Sequence, residues 1–393
     1  MIPRIIDPED VEKELKKTGV DVAAFDIFNA KSHFVLAKLS DVDARGANIL
    51  KQEFIGAGGD VAVHRDVASW KIEKTDCIMM GTERVFRRVY EKLAFEPFFG
   101  LTEVRNAIKI LLENKKLQVY EIGGKEFDFN NKRFLMGILN ITPDSFSDGG
   151  LYSNVENAVK HAEEMIREGA DIIDIGGEST RPGAEKVDES EEKRRVLPVI
   201  TAIRKKFPDV AISIDTYKAG VAREAIEAGA NVINDISGLR FDKNMKFVAK
   251  EYDVPVVVMH IKGTPKDMQK NPFYEDVVDE LLRYFEERVN SLSEFGINKI
   301  ILDPGIGFGK RVSDNLEIIK NLRAFTVFRK PILLGLSRKS FLGAITGEDV
   351  KNRLFGTLVS DTLGILNGAN ILRVHDVKPH KELLEIMEAI TNA

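Results

Sequence analysis

The chain has 393 residues and a formal net charge of −5, and charged residues of both signs make up 30% of it. The lack of a basic excess argues against nucleic-acid binding, and the single cysteine, Cys77, excludes an intrachain disulfide and a cysteine-based zinc cluster. The sequence contains no stretch of about 18 apolar residues, so we predict no membrane-spanning helix. We therefore expect a cytoplasmic protein that acts on small molecules.

Residues 1–130 predict a small α/β domain without a recognisable active site. Short apolar runs predict strands, and longer amphipathic stretches predict helices. The paired glycines Gly123 and Gly124 predict the turn of a hairpin that leads directly into the next domain. The predicted strands are 33–39, 60–64 and 76–82, and the predicted helices are 44–58, 83–96 and 101–116.

In residues 131–393 an apolar run of strand length recurs eight times, and a stretch of helix length follows each run. This alternation is typical of a (β/α)8 barrel, the TIM barrel fold. The runs are FLMGILN, DIIDIGG, AISIDT, VINDIS, VPVVVMH, KIILDPG, PILLGLS and ILRVHDV. We therefore predict an α/β protein in which a TIM barrel follows the small N-terminal domain.

Polar side chains occupy the ends of nearly all these runs. Catalytic residues of TIM barrels lie at the carboxyl ends of the strands, and a barrel with only a structural role has no need of such polarity there. The residues are Asn140, Glu178, Asp215, Asn234, His260, Asp303, Lys339, Arg373 and His375.

Four of these residues suit a flat heterocyclic ligand. The carboxylates of Asp215 and Asp303 and the amide of Asn234 can bind ring N–H and amino groups, and Lys339 can donate to a ring carbonyl oxygen. The chain shows no arrangement typical of covalent catalysis, such as Ser–His–Asp. The residue types favour displacement of a phosphate-type leaving group.

Arg373 and His375 end the eighth run and predict an anion site. Residues two apart on a strand share a face, and TIM barrels often bind phosphate beside strands 7 and 8. Salt bridges to neighbouring helices are the structural alternative for this pair. Asn140 can help to hold a hydrated Mg²⁺, which keeps its waters and needs few protein ligands.

Two loops at the same end of the predicted barrel are rich in Gly, Pro and hydroxyl residues. The loop 139–150 carries Phe146, an apolar residue that is unusual in a loop, and the loop 171–185 carries Thr180 and Arg181. We interpret both loops as lids that close over a bound substrate.

At least six separated motifs, in the order found here, resemble those of dihydropteroate synthase. They are LNITPDSFSDGG, DIGGESTRPGA, SIDT, INDISG, LDPGIGFGK with SRKSFLG, and RVHDV, and they cover residues 133–393. Members of that family condense 6-hydroxymethyl-7,8-dihydropterin diphosphate with 4-aminobenzoate, giving 7,8-dihydropteroate and diphosphate in folate biosynthesis. The resemblance implies a transferase that uses Mg²⁺, forms a homodimer and is a target of sulfonamides.

The resemblance also implies roles for individual residues. The pterin pocket falls on Asp215, Asn234, Met259, Asp303 and Lys339, and the diphosphate and Mg²⁺ site falls on Asn140, Arg373 and His375. The 4-aminobenzoate site, which sulfonamides also occupy, falls on Phe146, Thr180, Arg181, Pro182, Phe308 and Ser340. The implied catalytic residues are Asp215, Asp303, Lys339, Arg373 and His375.

Three alternatives stay open at this point. A pterin-dependent methyltransferase would share the pterin residues, but it has no need of the STRPG and SFSDGG loops or of SRKS with RVHD. A non-catalytic pterin-binding protein would be favoured by loss of Arg373, His375 or Lys339, and all three are present. A synthase that uses a larger arylamine is harder to distinguish, because the arylamine site lies on the loops.

Overall fold

The computed structural model describes residues 2–113, 116–142, 151–179, 183 and 185–391. The chain folds as two compact units, residues 1–115 and 116–393. The predicted division at residue 130 therefore falls inside the second unit, because the hairpin before the barrel packs with the barrel strands. Among the described residues, no helix combines the length and the apolar character needed to cross a membrane.

The first unit is a three-stranded antiparallel sheet covered by helices on one face, as predicted for a small α/β domain. The strand order is β1–β3–β2. The strands are β1 (Phe34–Asp43), β2 (Asp60–Val63) and β3 (Lys74–Thr82), and the helices are α1 (Val11–Thr18), α2 (Phe25–Ser32), α3 (Ala44–Ala57), α4 (Glu83–Lys92) and α5 (Leu101–Leu112).

The two faces of this sheet differ because successive side chains of a strand point to opposite sides. Met79 is fully buried in the core that contains Phe54 of α3, whereas the neighbouring Ile78 is exposed. Helix α3 begins where the carboxylate of Asp43 accepts a backbone N–H of the first turn, and it ends at Gly58 with φ +95°. One sheet face thus builds the core, and the other faces solvent.

The second unit begins with a hairpin and continues as eight parallel strands, each followed by a helix. The strands pair in chain order, and a further parallel bridge between Leu302 and Ile332 joins the sixth barrel strand to the seventh, so the sheet closes. This arrangement confirms the predicted TIM barrel.

The hairpin is β4 (Tyr120–Ile122) and β5 (Lys125–Phe127). The barrel strands are β6 (Phe134–Asn140), β7 (Ile172–Gly176), β8 (Ala211–Asp215), β9 (Val232–Asp235), β10 (Val256–Met259), β11 (Ile300–Asp303), β12 (Leu333–Leu334) and β13 (Ile371–Val374). The helices are α6 (Leu151–Arg167), α7 (Glu189–Lys206), α8 (Ala219–Glu227), α9 (Met245–Tyr252), α10 (Val277–Glu294), α11 (Val312–Lys320), α12 (Ser340–Thr346), α13 (Leu354–Leu366) and α14 (Val377–Thr391).

Alternate residues of the barrel strands belong to two separate apolar cores. One set packs outward against the helices, as Ile173, Ile212 and Leu302 do. The other set faces the interior at the amino-terminal end of the barrel and packs against the aromatic residues of the hairpin segment. Its strand members are Phe134, Met136, Ile172, Ala211, Val232, Val257, Ile301, Leu333 and Ile371.

The hairpin segment closes the amino-terminal end of the barrel. Its aromatic rings contact the first barrel strand, with 4.6 Å between the ring centroids of Phe127 and Phe134. The hydroxyl of Tyr120 donates to the backbone oxygen of Ile300 at 2.9 Å. The described side chains thus fill this end of the barrel with apolar groups, which leaves the carboxyl ends of the strands as the place for polar side chains.

Candidate active site

The inward face of the barrel becomes polar two to four residues beyond the apolar layer. Asn140, Gly176, Asp215 and Asn234 lie side by side on four adjacent strands. A Cβ placed on Gly176 would lie 3.6 Å from Oδ1 of Asn140 and 3.7 Å from Oδ2 of Asp215. The glycine therefore leaves open the space that these two polar groups face.

Arg373 holds two acidic residues together at this level of the barrel. Its Nε donates to Asp174 at 2.6 Å and its Nη2 donates to Asp215 at 2.7 Å. The amide of Asn234 donates to the same Asp174 oxygen at 3.1 Å. Burial raises the pKa of Asp215, and the charge of Arg373 opposes that shift. The predicted residues Asp215, Asn234 and Arg373 thus form one network.

Asp174 is a member of this network that the predicted site did not include. Its side chain is fully buried, and its second carboxylate oxygen has no hydrogen-bond partner among the described residues. An acid inside the apolar run DIIDIGG was the available signal in the sequence. Only the strand pairing shows that this acid points inward, toward Arg373.

Asp303 and Lys339 form the opposite side of the site. A carboxylate oxygen of Asp303 accepts the backbone N–H of Gly305 at 2.7 Å. Burial raises the pKa of Asp303, and the charge of Lys339 opposes this effect. Burial also lowers the pKa of Lys339 to about 8, although Asp303 favours its charged form. The two groups stabilise each other's ionised forms in a low-dielectric environment.

The loop after β11 fixes the position of the Lys339 side chain. The Nζ of Lys339 donates to the backbone oxygen of Ile306 and lies 4.9 Å from the ring centroid of Phe308. Gly307 has φ +82°, and a Cβ there would come within 3.3 Å of Lys339. A glycine at this position gives the lysine stem room to cross the loop.

An apolar wall borders these charged groups. Met259 pairs in register with Asp303 and belongs to a small buried cluster with Ile236, Ile261 and Met268, against which Tyr217 and Phe308 pack. The structure therefore brings the predicted pterin-wall residue Met259 and the predicted arylamine residue Phe308 together.

The predicted anion residues, Arg373 and His375, lie at the end of the same strand, β13, but already have protein partners. The Nδ1 of His375 is 3.0 Å from the hydroxyl of Ser337. Arg373 uses Nε and Nη2 for the two carboxylates, and no described residue binds its Nη1. Because a guanidinium carries five N–H donors, Arg373 can keep both carboxylates and still donate to an anion.

His260 and Lys310 form a buried pair outside this site. His260 lies between the clustered Met259 and Ile261 in sequence, and its Nδ1 is 2.9 Å from Nζ of Lys310. Burial, followed by the charge of Lys310, lowers the pKa of His260 to about 2, and burial lowers the pKa of Lys310 to about 7. The strand-end position of His260 therefore serves packing of the loops, and the pair joins the loops after β10 and β11.

Several predicted arylamine residues cannot be placed. Phe146, Thr180, Arg181 and Pro182 lie outside the described residues. Ser340 is exposed at the first position of α12, directly after Lys339. The described part of the arylamine site therefore consists of Phe308 and Ser340.

The chain is similar to pterin enzymes over the whole barrel. The family model of the pterin binding enzymes matches residues 136–375. The dihydropteroate synthase of Clostridium beijerinckii is 47% identical over 273 residues, which are 69% of this chain and 98% of that protein. The crystal structure of Yersinia pestis dihydropteroate synthase with a sulfonamide drug has a TM-score of 0.66 at 42% identity and covers 70% of this chain and 100% of that one.

Two further similarities concern a ligand and the first unit. The Xanthomonas albilineans dihydropteroate synthase with 4-aminobenzoic acid has a TM-score of 0.66 at 40% identity, over 71% of this chain and 100% of that one. The bifunctional dihydropteroate synthase/dihydropteroate reductase of Helicobacter pylori is 34% identical over 392 residues, which are 99% of each protein. This second similarity extends through the first unit as well as the barrel.

Proposed function

The chain belongs to the dihydropteroate synthase family and forms 7,8-dihydropteroate in folate biosynthesis, and we propose how its barrel residues divide that task. The observation that carries the assignment is the network of Arg373, Asp215 and Asn234 opposite Asp303 and Lys339, at the only end of the barrel that is not filled by the described hairpin. The substrates are 6-hydroxymethyl-7,8-dihydropterin diphosphate and 4-aminobenzoate.

The pterin ring binds between the acids and the apolar wall. Asp303 and Asn234 bind the ring N–H and amino groups, Lys339 donates to the ring carbonyl oxygen, and Met259 contacts the ring face. Supporting this arrangement, all four side chains lie at the same end of the barrel, and Met259 and Asp303 are paired residues of adjacent strands. Burial strengthens each polar contact, because water does not compete with the ligand.

The diphosphate binds at the ends of the seventh and eighth strands. Arg373 donates from Nη1 while Asp174 and Asp215 hold its other nitrogens, and His375 binds from the adjacent position. The pair of carboxylates orients the guanidinium before the substrate arrives. Preorganised donors of this kind stabilise charge that develops on a leaving group.

The reaction is a dissociative displacement. The bond between the pterin methylene carbon and the diphosphate oxygen breaks, and its electron pair leaves with the diphosphate. Asp215 and Asp303 favour the pterin cation that remains. The amine nitrogen of 4-aminobenzoate then bonds to the methylene carbon and loses a proton. Exclusion of water matters, since water would compete as the nucleophile.

Asn140 is the residue that would hold Mg²⁺. Its amide oxygen is a ligand of the type that Mg²⁺ accepts, and it faces the same open space as the Asp215 carboxylate. The described residues contain no group of three or more His, Cys, Asp or Glu side chains that could hold a metal. Mg²⁺ keeps most of its waters, so an ion held by Asn140, water and the diphosphate would neutralise charge on the leaving group.

Ser340 and Phe308 contribute to the arylamine site, together with the predicted residues Phe146, Thr180, Arg181 and Pro182. The exposed position of Ser340 at the start of α12, next to Lys339, supports this role. A sulfonamide would compete with 4-aminobenzoate at the same place.

The homodimer and the cytoplasmic location stay predictions. Sedimentation at micromolar concentration tests whether the chain forms a homodimer.

Parallel assays of diphosphate release and of pteroate formation test the proposed function. With the pterin diphosphate and 4-aminobenzoate, both products should appear in equal amounts. A larger arylamine should react more slowly, and Asp303→Ala should lose both products. A faster reaction with the larger arylamine would contradict 4-aminobenzoate as the second substrate. Methyl transfer from a methylated pterin would contradict the synthase reaction and indicate a methyltransferase.

We propose a second activity, reduction of dihydropteroate, for the first unit. It is favoured by the similarity to the bifunctional Helicobacter pylori protein, which spans the whole chain, whereas the shorter synthase of Clostridium beijerinckii covers 69% of it. The exposed face of the sheet in the first unit has a concavity of about 570 Å³ whose lining includes two lysines, Lys38 and Lys74, and two acids, Asp41 and Asp76. Lys38 lies 3.3 Å from Asp76, and Lys74 is the lysine that we propose for the carboxylate of dihydropteroate.

The reduction adds a hydride and a proton to the pterin ring, so the assay must supply a reductant. The full chain is incubated with 7,8-dihydropteroate and either a reduced nicotinamide or a reduced flavin nucleotide, and tetrahydropteroate is measured by mass spectrometry. Asp303→Ala should leave this activity intact, because the barrel is not involved. Absence of tetrahydropteroate with both reductants would contradict the proposed reductase activity. It would not affect the assignment of the synthase activity to the barrel.

A further inference from the structure

Arg338 has an unusual backbone conformation between two residues of the site. Its φ is +58°, in the left-handed region that residues with a side chain rarely adopt. Its neighbours are Ser337, which contacts His375, and Lys339, which has been assigned to the pterin ring. A residue other than glycine keeps such a conformation where the surrounding contacts over-determine it.

The contacts of Arg338 provide that over-determination. Its Nε and Nη2 donate to the two carboxylate oxygens of Asp376 at 3.0 and 2.5 Å. Its backbone N–H donates to the hydroxyl of Thr357 at 3.2 Å, and its backbone oxygen accepts from Arg353 at 3.1 Å. A bidentate pair of this kind fixes orientation as well as distance.

A second side-chain contact runs parallel to this pair. The hydroxyl of Ser337 is 3.0 Å from Nδ1 of His375 and accepts the backbone N–H of the same residue at 3.2 Å. Two consecutive residues after the seventh strand thus bind two consecutive residues after the eighth. None of these four residues belongs to a strand.

These contacts continue the strand register beyond the backbone ladder. The pairing of β12 with β13 consists of Leu333 with Ile371 and Leu334 with Leu372, a separation of 38 positions in each case. Ser337–His375 and Arg338–Asp376 have the same separation of 38. Side chains therefore hold the two chain segments in register where backbone pairing has ended.

We infer that Arg338 is a positioning residue that fixes the spacing between the ring pocket and the diphosphate site. Lys339 follows it on one segment, and His375 precedes its partner Asp376 on the other. The pterin ring and the diphosphate are joined by a single methylene group, so one substrate must satisfy both sites at once. This inference rests on the proposed roles of Lys339 and His375.

A comparison of the whole substrate with its two parts tests the inference. Arg338→Gly removes the guanidinium, while glycine adopts the left-handed conformation without strain. The kcat/KM for the pterin diphosphate should fall on the order of 10- to 100-fold, as expected for a misplacement of about 1 Å. The affinities for a free pterin and for inorganic diphosphate should change less than about threefold, since each part of the site is intact.

Three further variants complete this comparison. Asp376→Asn removes the other partner and keeps the test possible if Arg338→Gly does not fold; the double variant should lose no more than either single one. Arg223→Ala is the matched control, because Arg223 forms a similar bidentate pair with Glu251 at 2.9 and 2.7 Å between α8 and α9. It should leave the kcat/KM for the pterin diphosphate and the affinities for the free pterin and for inorganic diphosphate unchanged.

The outcomes separate this inference from the proposed function. Equal losses of affinity for the free pterin, for diphosphate and for the whole substrate would overturn it, as would a kcat/KM within about threefold of the parent. Lys339→Ala and His375→Ala are measured alongside. Full activity in those two variants would instead contradict the proposed function, on which the inference rests.

Discussion

The two ends of the barrel are built from the same eight strands and differ completely in chemistry. At the amino-terminal end the inward side chains are apolar, and Phe127 and Phe129 of the hairpin segment close the opening. Two residues further along, Ile172 gives way to Asp174 and Ile371 to Arg373. On each of these two strands, the next inward-facing residue after the filled apolar core already belongs to the charged site.

This difference shows how the fold divides stability from function. The closed end supplies burial of large aromatic side chains, so its substitution should change stability and leave the chemistry intact. The open end places charges in a partly buried environment, where each one depends on a partner. Substitutions there should change binding and catalysis first. Four predictions test the division, beginning with the largest expected effect.

Arg373→Ala should lower kcat for the pterin diphosphate by about 1000-fold or more, because the leaving group loses its preorganised donor. Binding of a free pterin should be largely retained. Steady-state kinetics and calorimetry measure the two quantities. Arg373→Lys is the sharper variant, since it keeps a charge for Asp174 and Asp215 but loses the forked geometry. Equal losses of pterin binding and of catalysis would contradict the assigned role.

Phe129→Ala should lower the free energy of unfolding by about 3–5 kcal/mol through the cavity that it leaves at the closed end. Phe129 is 1% exposed and contacts Phe134 with 5.3 Å between ring centroids. Chemical denaturation measures the loss, and kcat/KM per folded molecule should stay at the parent value. Phe355→Ala, at a residue that is 80% exposed, is the control with a small effect. A tenfold fall in kcat/KM of the folded Phe129→Ala variant would break the division.

Asp303→Ala should weaken pterin affinity on the order of 100-fold, through loss of a charged hydrogen-bond acceptor in a buried pocket. Fluorescence titration with a free pterin measures the change. Diphosphate affinity should hardly change, because Arg373 and His375 are untouched. An unchanged pterin affinity would place the ring elsewhere.

Lys339 predicts opposite effects of alkaline pH on activity and on stability. Burial lowers its pKa to about 8, so pterin affinity should fall about tenfold per pH unit above 8 as the ammonium is lost. Between pH 8 and the ordinary lysine value near 10.4, the unfolded chain binds the proton and the folded chain does not, so this group raises the free energy of unfolding as pH rises.

A pH series with matched variants measures both the loss of pterin affinity and the gain in stability. Lys339→Arg should bind the pterin more weakly at neutral pH but show no alkaline loss, because guanidinium does not titrate in this range. Persistence of the alkaline loss in Lys339→Arg would assign it to another group. Melting temperatures across the same pH series measure the gain in stability.

The sequence predicted most of the fold because each strand carries its own signal. The eight apolar runs, their polar ends and the helices between them depend on local patterns, and the structure contains them. The end of the barrel at which Asp215, Asn234, Asp303 and Arg373 meet follows from that topology. The family resemblance added the substrates, which no local pattern contains.

Other features depend on contacts between distant segments and were not predictable in that way. The direction of Asp174 follows from register across strands, and the hairpin belongs to the barrel because its aromatic rings fill one end. Lys310 gave no signal beyond its place in a glycine-rich loop, yet its ammonium also donates to the backbone oxygen of Gly305 at 3.0 Å. His260 lies directly after the strand β10, close to its predicted place at the end of a run, but it faces Lys310.

A crystal structure of the full chain with the pterin diphosphate tests the central claim most directly. The account predicts the ring against Met259 with Asp303 and Lys339 at its polar edge, and the diphosphate on Nη1 of Arg373 and on His375. Arg373 should keep its contacts with Asp174 and Asp215. A ring or a diphosphate bound away from these residues, or an Arg373 that leaves both carboxylates to reach the substrate, would contradict the account.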